Sequence, residues 1–152
     1  MTKKILIVLV VLVLPFVALA SSWPGASASS DLGSSLMASV SDFEPSGIIW
    51  HAGRGSYIVV SDGGDIAELS AAGAVISTWS VSGNWEGVTV ADTGSDLIYL
   101  AHENNSAIYA FDLSTGALTG DSWSVSSYIY PVGSAGRAAL TWVPAGFHDY
   151  GT

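Results

Sequence analysis

The chain has 152 residues, no cysteine and a formal net charge of −9, and 49% of its residues are hydrophobic. Without cysteine it cannot form disulfides, use a thiol nucleophile or hold a metal ion through thiolates. Its acidic excess disfavours nucleic acid and anionic lipid surfaces as partners, because both repel a negatively charged protein.

The first twenty residues have the pattern of a secretory signal peptide. Lys3 and Lys4 precede an apolar run, Ile5–Val17, and small residues at positions 18 and 20 mark a cleavage site after Ala20. An uncleaved anchor is the alternative, but residues 5–20 are fewer than the ~20 that a spanning helix needs. Cleavage leaves two arginines against thirteen acids, a net charge of −11, and no stable membrane anchor. We therefore predict an extracytoplasmic protein, either periplasmic or secreted.

Residues 21–41 are rich in serine, alanine and glycine, and they are predicted to form a flexible linker. Order is expected at most near its end, where Leu36 to Phe43 could add a strand to a neighbouring sheet. No helix is predicted after residue 20, because no window shows a sustained apolar period of 3.6 residues.

The remaining residues, 42–152, contain one motif written twice, at 47–81 and 87–125. The two copies start 40 residues apart, and both end on the tripeptide Trp-Ser-Val. A period near 40 with four short strand signals is typical of a β-propeller blade. A third copy is predicted to begin at Ala139. The predicted fold is therefore all-β, with two four-stranded blades, the start of a third, and an incomplete ring, which indicates the N-terminal part of a longer protein.

Each predicted blade contains four strands separated by glycine-rich or acidic turns. The strands are predicted at 48–51, 56–61, 66–69 and 74–80 in blade one, and at 88–91, 97–101, 107–111 and 117–125 in blade two. Alignment on the starts places Tyr57–Val60 on Leu97–Leu100, and a later slip brings Ile66 opposite Ile108. Trp79 and Trp123 are expected to close the contacts between neighbouring blades, because large rings bury the most area there.

Four stretches resemble the SdiA-regulated (YjiK-type) extracytoplasmic propellers and the esterase-like phytase propellers: Pro45–Trp50, Ile58–Asp62, Trp85–Thr89 and Ala139–Pro144. The resemblance covers roughly residues 44–152. It implies export, a full ring and, in several members, a bound calcium ion. It places Glu86 at the position of the family's glutamate before an inner strand, and Asp62 at the acidic position after the second strand. Ser46 and Ala138 depart from that glutamate pattern.

Glu86 is the most informative acid, because it precedes the first strand of blade two, the strand that lines the central channel of a propeller. Its carboxylate could bind calcium there together with Asp62, Glu103 and loop carbonyls, since calcium takes six to eight oxygen ligands. The alternative is a structural glutamate that accepts hydrogen bonds from the turn at Gly87 or from a neighbouring blade.

Two loops occupy the same place in the two blades, at residues 62–65 and 102–105. Both are acidic or rich in amides and could form part of a binding rim, but turn chemistry is the simpler interpretation. His102 beside Glu103 is a weak acid–base pair, because adjacent residues usually point apart. The three histidines show no metal-binding spacing, and no serine-hydrolase elbow or P-loop is present.

Three functional interpretations remain open at this level. The first is a secreted or periplasmic binding module for a small molecule or protein, stabilised by calcium and able to assemble with other blades. The second is a calcium-dependent hydrolase of lactonase, phosphatase or esterase type that uses channel-facing carboxylates. The third is an incomplete gene product. Propellers support many functions, so the fold cannot choose among them.

Overall fold

The computed structural model describes residues 33–128 and 139–147, so the predicted signal peptide and most of the predicted linker lie outside the described residues. One short helix precedes two sheets. The elements are α1 (Gly33–Ser39), β1 (Pro45–His51), β2 (Ser56–Ser61), β3 (Asp65–Ser70), β4 (Val75–Ser80), β5 (Trp85–Thr89), β6 (Leu97–His102), β7 (Ala107–Asp112) and β8 (Ala117–Ser124).

The strands form two four-stranded antiparallel sheets, β1-β2-β3-β4 and β5-β6-β7-β8, each in sequence order. These are the two predicted blades, and the all-β prediction is confirmed. The second and third strands of each blade match the prediction to within one residue at each end. The inner strands begin earlier than predicted, at Pro45 and Trp85, because each contains a register shift before the glycine at 47 or 87.

The structure corrects the alignment of the repeats by one residue. Ile48 pairs with Val59 in blade one, and Val88, its counterpart, pairs with Leu100 in blade two. Val59 therefore corresponds to Leu100 and not to Tyr99, because the connection from the inner strand to the next strand is one residue longer in blade two. A shift of one residue exchanges the two faces of a strand.

Each blade has two faces, and we call the face turned toward the following blade its trailing face and the opposite one its leading face. The main core lies where the trailing face of blade one meets the leading face of blade two. Its buried members are Ile58, Val60, Ile66, Trp85, Val88, Ile98, Leu100, Phe111 and Leu113. Trp79 packs edge-on against Phe111, with ring centroids 5.9 Å apart, and it covers Gly116, where a Cβ would collide with the indole.

The prediction that Trp79 closes an interblade contact is therefore confirmed, whereas that for Trp123 stays a prediction, because the described residues include no complete blade after blade two. Trp123 lies on the trailing face of blade two, and 48% of it is exposed. Its pairing with Ile108 repeats the pairing of Trp79 with Ile66, so the two tryptophans are equivalent in the repeat.

A second core covers the leading face of blade one. Leu36 of α1 and Phe43 pack there on Val59, Ala67 and Leu69. The expectation of no helix after residue 20 is wrong, and so is the alternative of an added strand at the start of that segment. A helix of seven residues is marginal alone, and the burial of its apolar side chain against the sheet stabilises it. In the part of the chain that the structure describes, no helix has the length and apolarity needed to span a membrane.

Candidate functional site

The inner strands of the repeats lie side by side at very short range. A Cβ at Gly47 would lie 3.2 Å from the Cα of Gly87, and a Cβ at Gly87 would lie 2.8 Å from the backbone nitrogen of Leu140. Residues 139–142 therefore follow β5 as β5 follows β1. The third copy predicted from Ala139 stays a prediction, because only residues 139–147 of it are described. The backbone nitrogen of Trp142 also donates a hydrogen bond to Thr89 Oγ1 at 3.0 Å.

A cavity of about 200 Å³ lies between these three inner segments. Its lining comprises residues 46–48, 86–88 and 139–140. Ser46 and Glu86 supply its polar side chains, and both sit at the register shifts of their inner strands. Such bulges redirect a side chain out of the regular alternation of a strand. The same bulge therefore places residue 46 or 86 at this cavity, which we call the axial cavity.

The two equivalent positions use their side chains differently. The Ser46 hydroxyl is in hydrogen-bond contact with the carbonyl oxygens of Val60 and Trp85, so it connects the inner strands of the two blades. The Glu86 carboxylate makes no hydrogen bond to another described residue, and it is half-buried in the cavity wall. The structural alternative for Glu86, a hydrogen-bond acceptor at the Gly87 turn, is not what the described residues show.

The three acids predicted as calcium ligands interact electrostatically. Burial raises the pKa of Glu86, and the negative charges of Asp62 and Glu103 raise it further. Glu103 also accepts a hydrogen bond from Asn84 Nδ2 at 2.8 Å. Within residues 33–128 and 139–147, however, no three His, Asp or Glu side chains approach closely enough to hold a metal ion. The charges of Asp62 and Glu103 thus act on Glu86, but the described side chains do not converge on one point.

The two predicted rim loops have the geometry of turns. Gly64 has a φ of +96°, which glycine adopts freely, and the hydroxyl of Ser61 accepts hydrogen bonds from the backbone nitrogens of Gly63 and Glu44. The loop after β6 places Ser106 at a φ of +50°. Both loops therefore have the conformation of turns, which favours turn chemistry as the reason for their composition.

His102 is in a packing environment. Its ring meets Trp85 edge-on at 5.0 Å, and it lies 5.8 Å from Tyr109. Burial lowers its pKa, and the nearby Glu103 charge offsets part of that effect. Nδ1 of His102 is buried without a hydrogen-bond partner among the described residues. A neutral ring enclosed by aromatic side chains gives no support to the weak acid–base pairing with Glu103.

The sequence analysis missed a polar network that joins the two blades. Arg54 donates to both carboxylate oxygens of Glu68, each at 2.9 Å, and to Asp96 of blade two at 2.6 Å. Ser56 donates to Glu68 at 2.7 Å. The pKa of Glu68 is lowered, mainly by the hydrogen bond from Arg54, whose own pKa is raised. An acid in the middle of the apolar strand β3 was the available signal, because such a residue needs a partner when buried.

His51 extends this network. Its Nδ1 accepts from the backbone nitrogen of Arg54 at 3.3 Å, which leaves Nε2 to donate to the carbonyl of Ser95 at 3.0 Å. Gly53 in the same turn lies directly against the carbonyl of Thr93, where a Cβ would collide. The first turn of blade one is therefore fitted closely against the corresponding loop of blade two.

Neither a family model nor a curated protein sequence matches the chain. Among solved structures, hydrazine synthase from Kuenenia stuttgartiensis is similar over 70% of this chain, with a TM-score of 0.53 and 13% sequence identity. The chain spans 28% of the length of that protein chain. The WD40 repeats of RRP9 and the structure of U3-55K each match 56% of this chain, at 5% identity and a TM-score of 0.45, and 27% and 28% of their own chains. With its consecutive four-stranded sheets packed face to face, this chain has the architecture of β-propeller blades.

Proposed function

We propose that this protein is an extracytoplasmic interaction module of the β-propeller type, related to the SdiA-regulated propellers, that binds a small molecule or protein. The observation that carries the proposal is the axial cavity. Both blades and residues 139–140 contribute its walls, and a half-buried carboxylate without a described hydrogen-bond partner, Glu86, lines it. The repeat and the stretches around Glu86 support the family relationship, and the N-terminal pattern supports export.

The hydrolase alternative has no supporting observation among the described residues. Among the described residues, the Ser46 hydroxyl in the cavity is bonded to backbone carbonyls, and the His102 ring packs against Trp85 and Tyr109. A panel of lactones, phosphate esters and p-nitrophenyl esters, with and without calcium, tests the distinction. We expect no turnover. Calcium-dependent turnover that disappears in Glu86→Gln would establish the hydrolase and overturn the proposal.

Calcium binding by Glu86, Asp62 and Glu103 is a second proposal, supported by the charges of Asp62 and Glu103, which add to the effect of burial in raising the pKa of Glu86. A cation would offset those charges, although it requires the three side chains to move toward one another. An extracellular affinity near 10⁻⁴ M and calcium at ~1 mM would give about 1.4 kcal/mol of stabilisation. We expect a higher melting temperature in calcium than in chelator, and the same temperature in Glu86→Gln under both conditions. Equal melting temperatures of the unaltered chain in calcium and in chelator would refute calcium binding but would not bear on the proposed binding module.

Export is tested separately by expressing the whole gene product in a bacterial host and fractionating the cells. We expect the protein in the periplasm or medium, with a new N-terminus at Ser21. A cytoplasmic protein that retains Met1 or Thr2 at its N-terminus would contradict this part of the proposal.

A further inference from the structure

The trailing face of blade two forms an apolar groove that the axial cavity does not include. The groove has a volume of about 320 Å³, and Tyr99, Ile108 and Trp123 of blade two form its floor. Leu140 and Trp142 of the third inner segment form one wall. Trp142 is also half-exposed, so two indole rings face solvent around this groove. A concentration of exposed aromatic surface is typical of a site for another polypeptide.

The structure contains the occupied counterpart of this groove. By the corrected register, Tyr99, Ile108 and Trp123 correspond to Ile58, Ile66 and Trp79 of blade one. Those three side chains are covered in the main core, where blade two packs on them. The same face of the repeat is thus seen once with its partner in place and once open.

The occupied counterpart also shows what the partner looks like. The side chains that cover blade one come from Val88 of β5, from Ile98 and Leu100 of β6, and from Phe111 of β7. At the open face, Leu140 already covers one side of the groove, because it lies against Gly87 of β5 and lines the groove itself. The open part of the groove therefore corresponds to the positions of β6 and β7.

We propose that the trailing face of blade two is a docking site for an antiparallel β-hairpin with the apolar pattern of β6 and β7. The partner presents aliphatic side chains at alternate positions of one strand and an aromatic ring on the next. It carries glycine in the turn that faces Trp123, as Gly116 faces Trp79. Its first strand pairs with residues 139–143, so backbone hydrogen bonds and side-chain pockets act together, as in other cases of strand addition.

A second copy of this chain does not fit the same role. Its equivalent hairpin is β2–β3, whose leading-face side chains Val59 and Leu69 are already buried under Leu36 and Phe43. Head-to-tail packing would require the displacement of α1. The occupant is therefore a hairpin whose own leading face is free. This inference deepens the proposed interaction function but does not depend on the axial cavity or on calcium.

The probe is a fluorescently labelled synthetic peptide with the sequence of residues 96–116, which contains β6, β7 and the turn at Gly116. Fluorescence anisotropy is measured while the whole unlabelled protein is added. We expect saturable binding. Trp123→Ser should weaken it at least tenfold, whereas Trp50→Ser should not change it, because Trp50 is a comparably exposed tryptophan on the leading face of blade one. A peptide with serine at the positions of Ile98, Leu100 and Phe111 should not bind.

Absence of binding to the unaltered protein would overturn the proposal, as would equal losses in the two tryptophan variants. Sedimentation of the protein alone supplies an independent readout. A monomer supports an occupant other than a second copy, whereas a concentration-dependent dimer abolished by Trp123→Ser would assign the groove to a second copy. Urea midpoints of both variants show whether they remain folded. The ester and calcium assays on Glu86→Gln report on the axial site alone, so failure of one proposal is distinguishable from failure of the other.

Discussion

Removal of Arg54 is expected to be among the most damaging single changes at the blade contact. Arg54→Ala leaves the Glu68 carboxylate, with a side chain only 3% exposed, supported by the Ser56 hydroxyl alone. Breaking a buried ion pair on one side costs 3–5 kcal/mol, and the 28% exposure of the Arg54 side chain places this case at the lower end, about 3 kcal/mol. For a domain of this size the melting temperature should fall by roughly 10 °C.

The assay is urea unfolding of the parent, Arg54→Ala, Glu68→Leu and the double variant Arg54→Met/Glu68→Leu. The double variant removes both charges and replaces them by side chains that fill the space, so it should lie within about 1 kcal/mol of the parent. The cost should also depend on pH. Because the pKa of Glu68 is lowered below its ordinary 4.5, the ion pair stabilises the fold above that pH and is lost as the pH falls further. A loss below about 1 kcal/mol in Arg54→Ala would refute the reasoning, since it would mean that Glu68 is not enclosed.

Three further predictions concern single residues. Gly53→Ala should lower the free energy of unfolding by about 3 kcal/mol, because its Cβ collides with the Thr93 carbonyl. Gly55→Ala, in open space at a φ of +63°, should lower it by about 1 kcal/mol. Equal urea midpoints of the two variants would contradict the tight contact at Gly53. Glu86→Gln should raise the free energy of unfolding at pH 7 by about 0.5 kcal/mol, because the raised pKa of Glu86 means that the fold disfavours its charged form. Thermal unfolding should show no gain below pH 4.5, where Glu86 is protonated in both the folded and the unfolded chain. His102→Gln should reduce the loss of stability as the pH falls below 6.5, because the unfolded chain takes up a proton there that the fold resists; an unchanged pH profile would contradict a buried neutral ring.

The blades could be predicted because their information is local. Alternating apolar residues, turn glycines and the repeated Trp-Ser-Val ending specify four strands per unit, and each strand pairs with its neighbour in sequence. The charges of Asp62 and Glu103 both act on Glu86, as expected if equivalent loops fall at one end of neighbouring blades. That the described side chains form no closed ligand set depends on side-chain positions that spacing does not determine.

The features that sequence reasoning missed are tertiary. Helix α1 has one buried apolar residue, Leu36, and no helical period, so only the sheet beneath it explains its formation. The register of β6 depends on one extra residue in the loop between β5 and β6. Alignment of two short repeats does not show where such an extra residue lies. The ion pair of Arg54 with Glu68 joins the turn after β1 to strand β3, which the sequence pattern predicts as separate elements. In each case the stabilising contact comes from a surface that is not adjacent in sequence.

The helix α1 also makes the two ends of the blade pair different, because it covers only one of them. It occupies the face of blade one on which a final blade would pack to complete a circle, and it buries Leu36 and Phe43 there. Burial of each such side chain is worth about 1.5–3 kcal/mol. A circle that closes through this face must therefore supply more contact than the helix does, and it must do so while releasing the helix. Growth from the opposite face, beside Trp123, meets no such competitor among the described residues and displaces no helix.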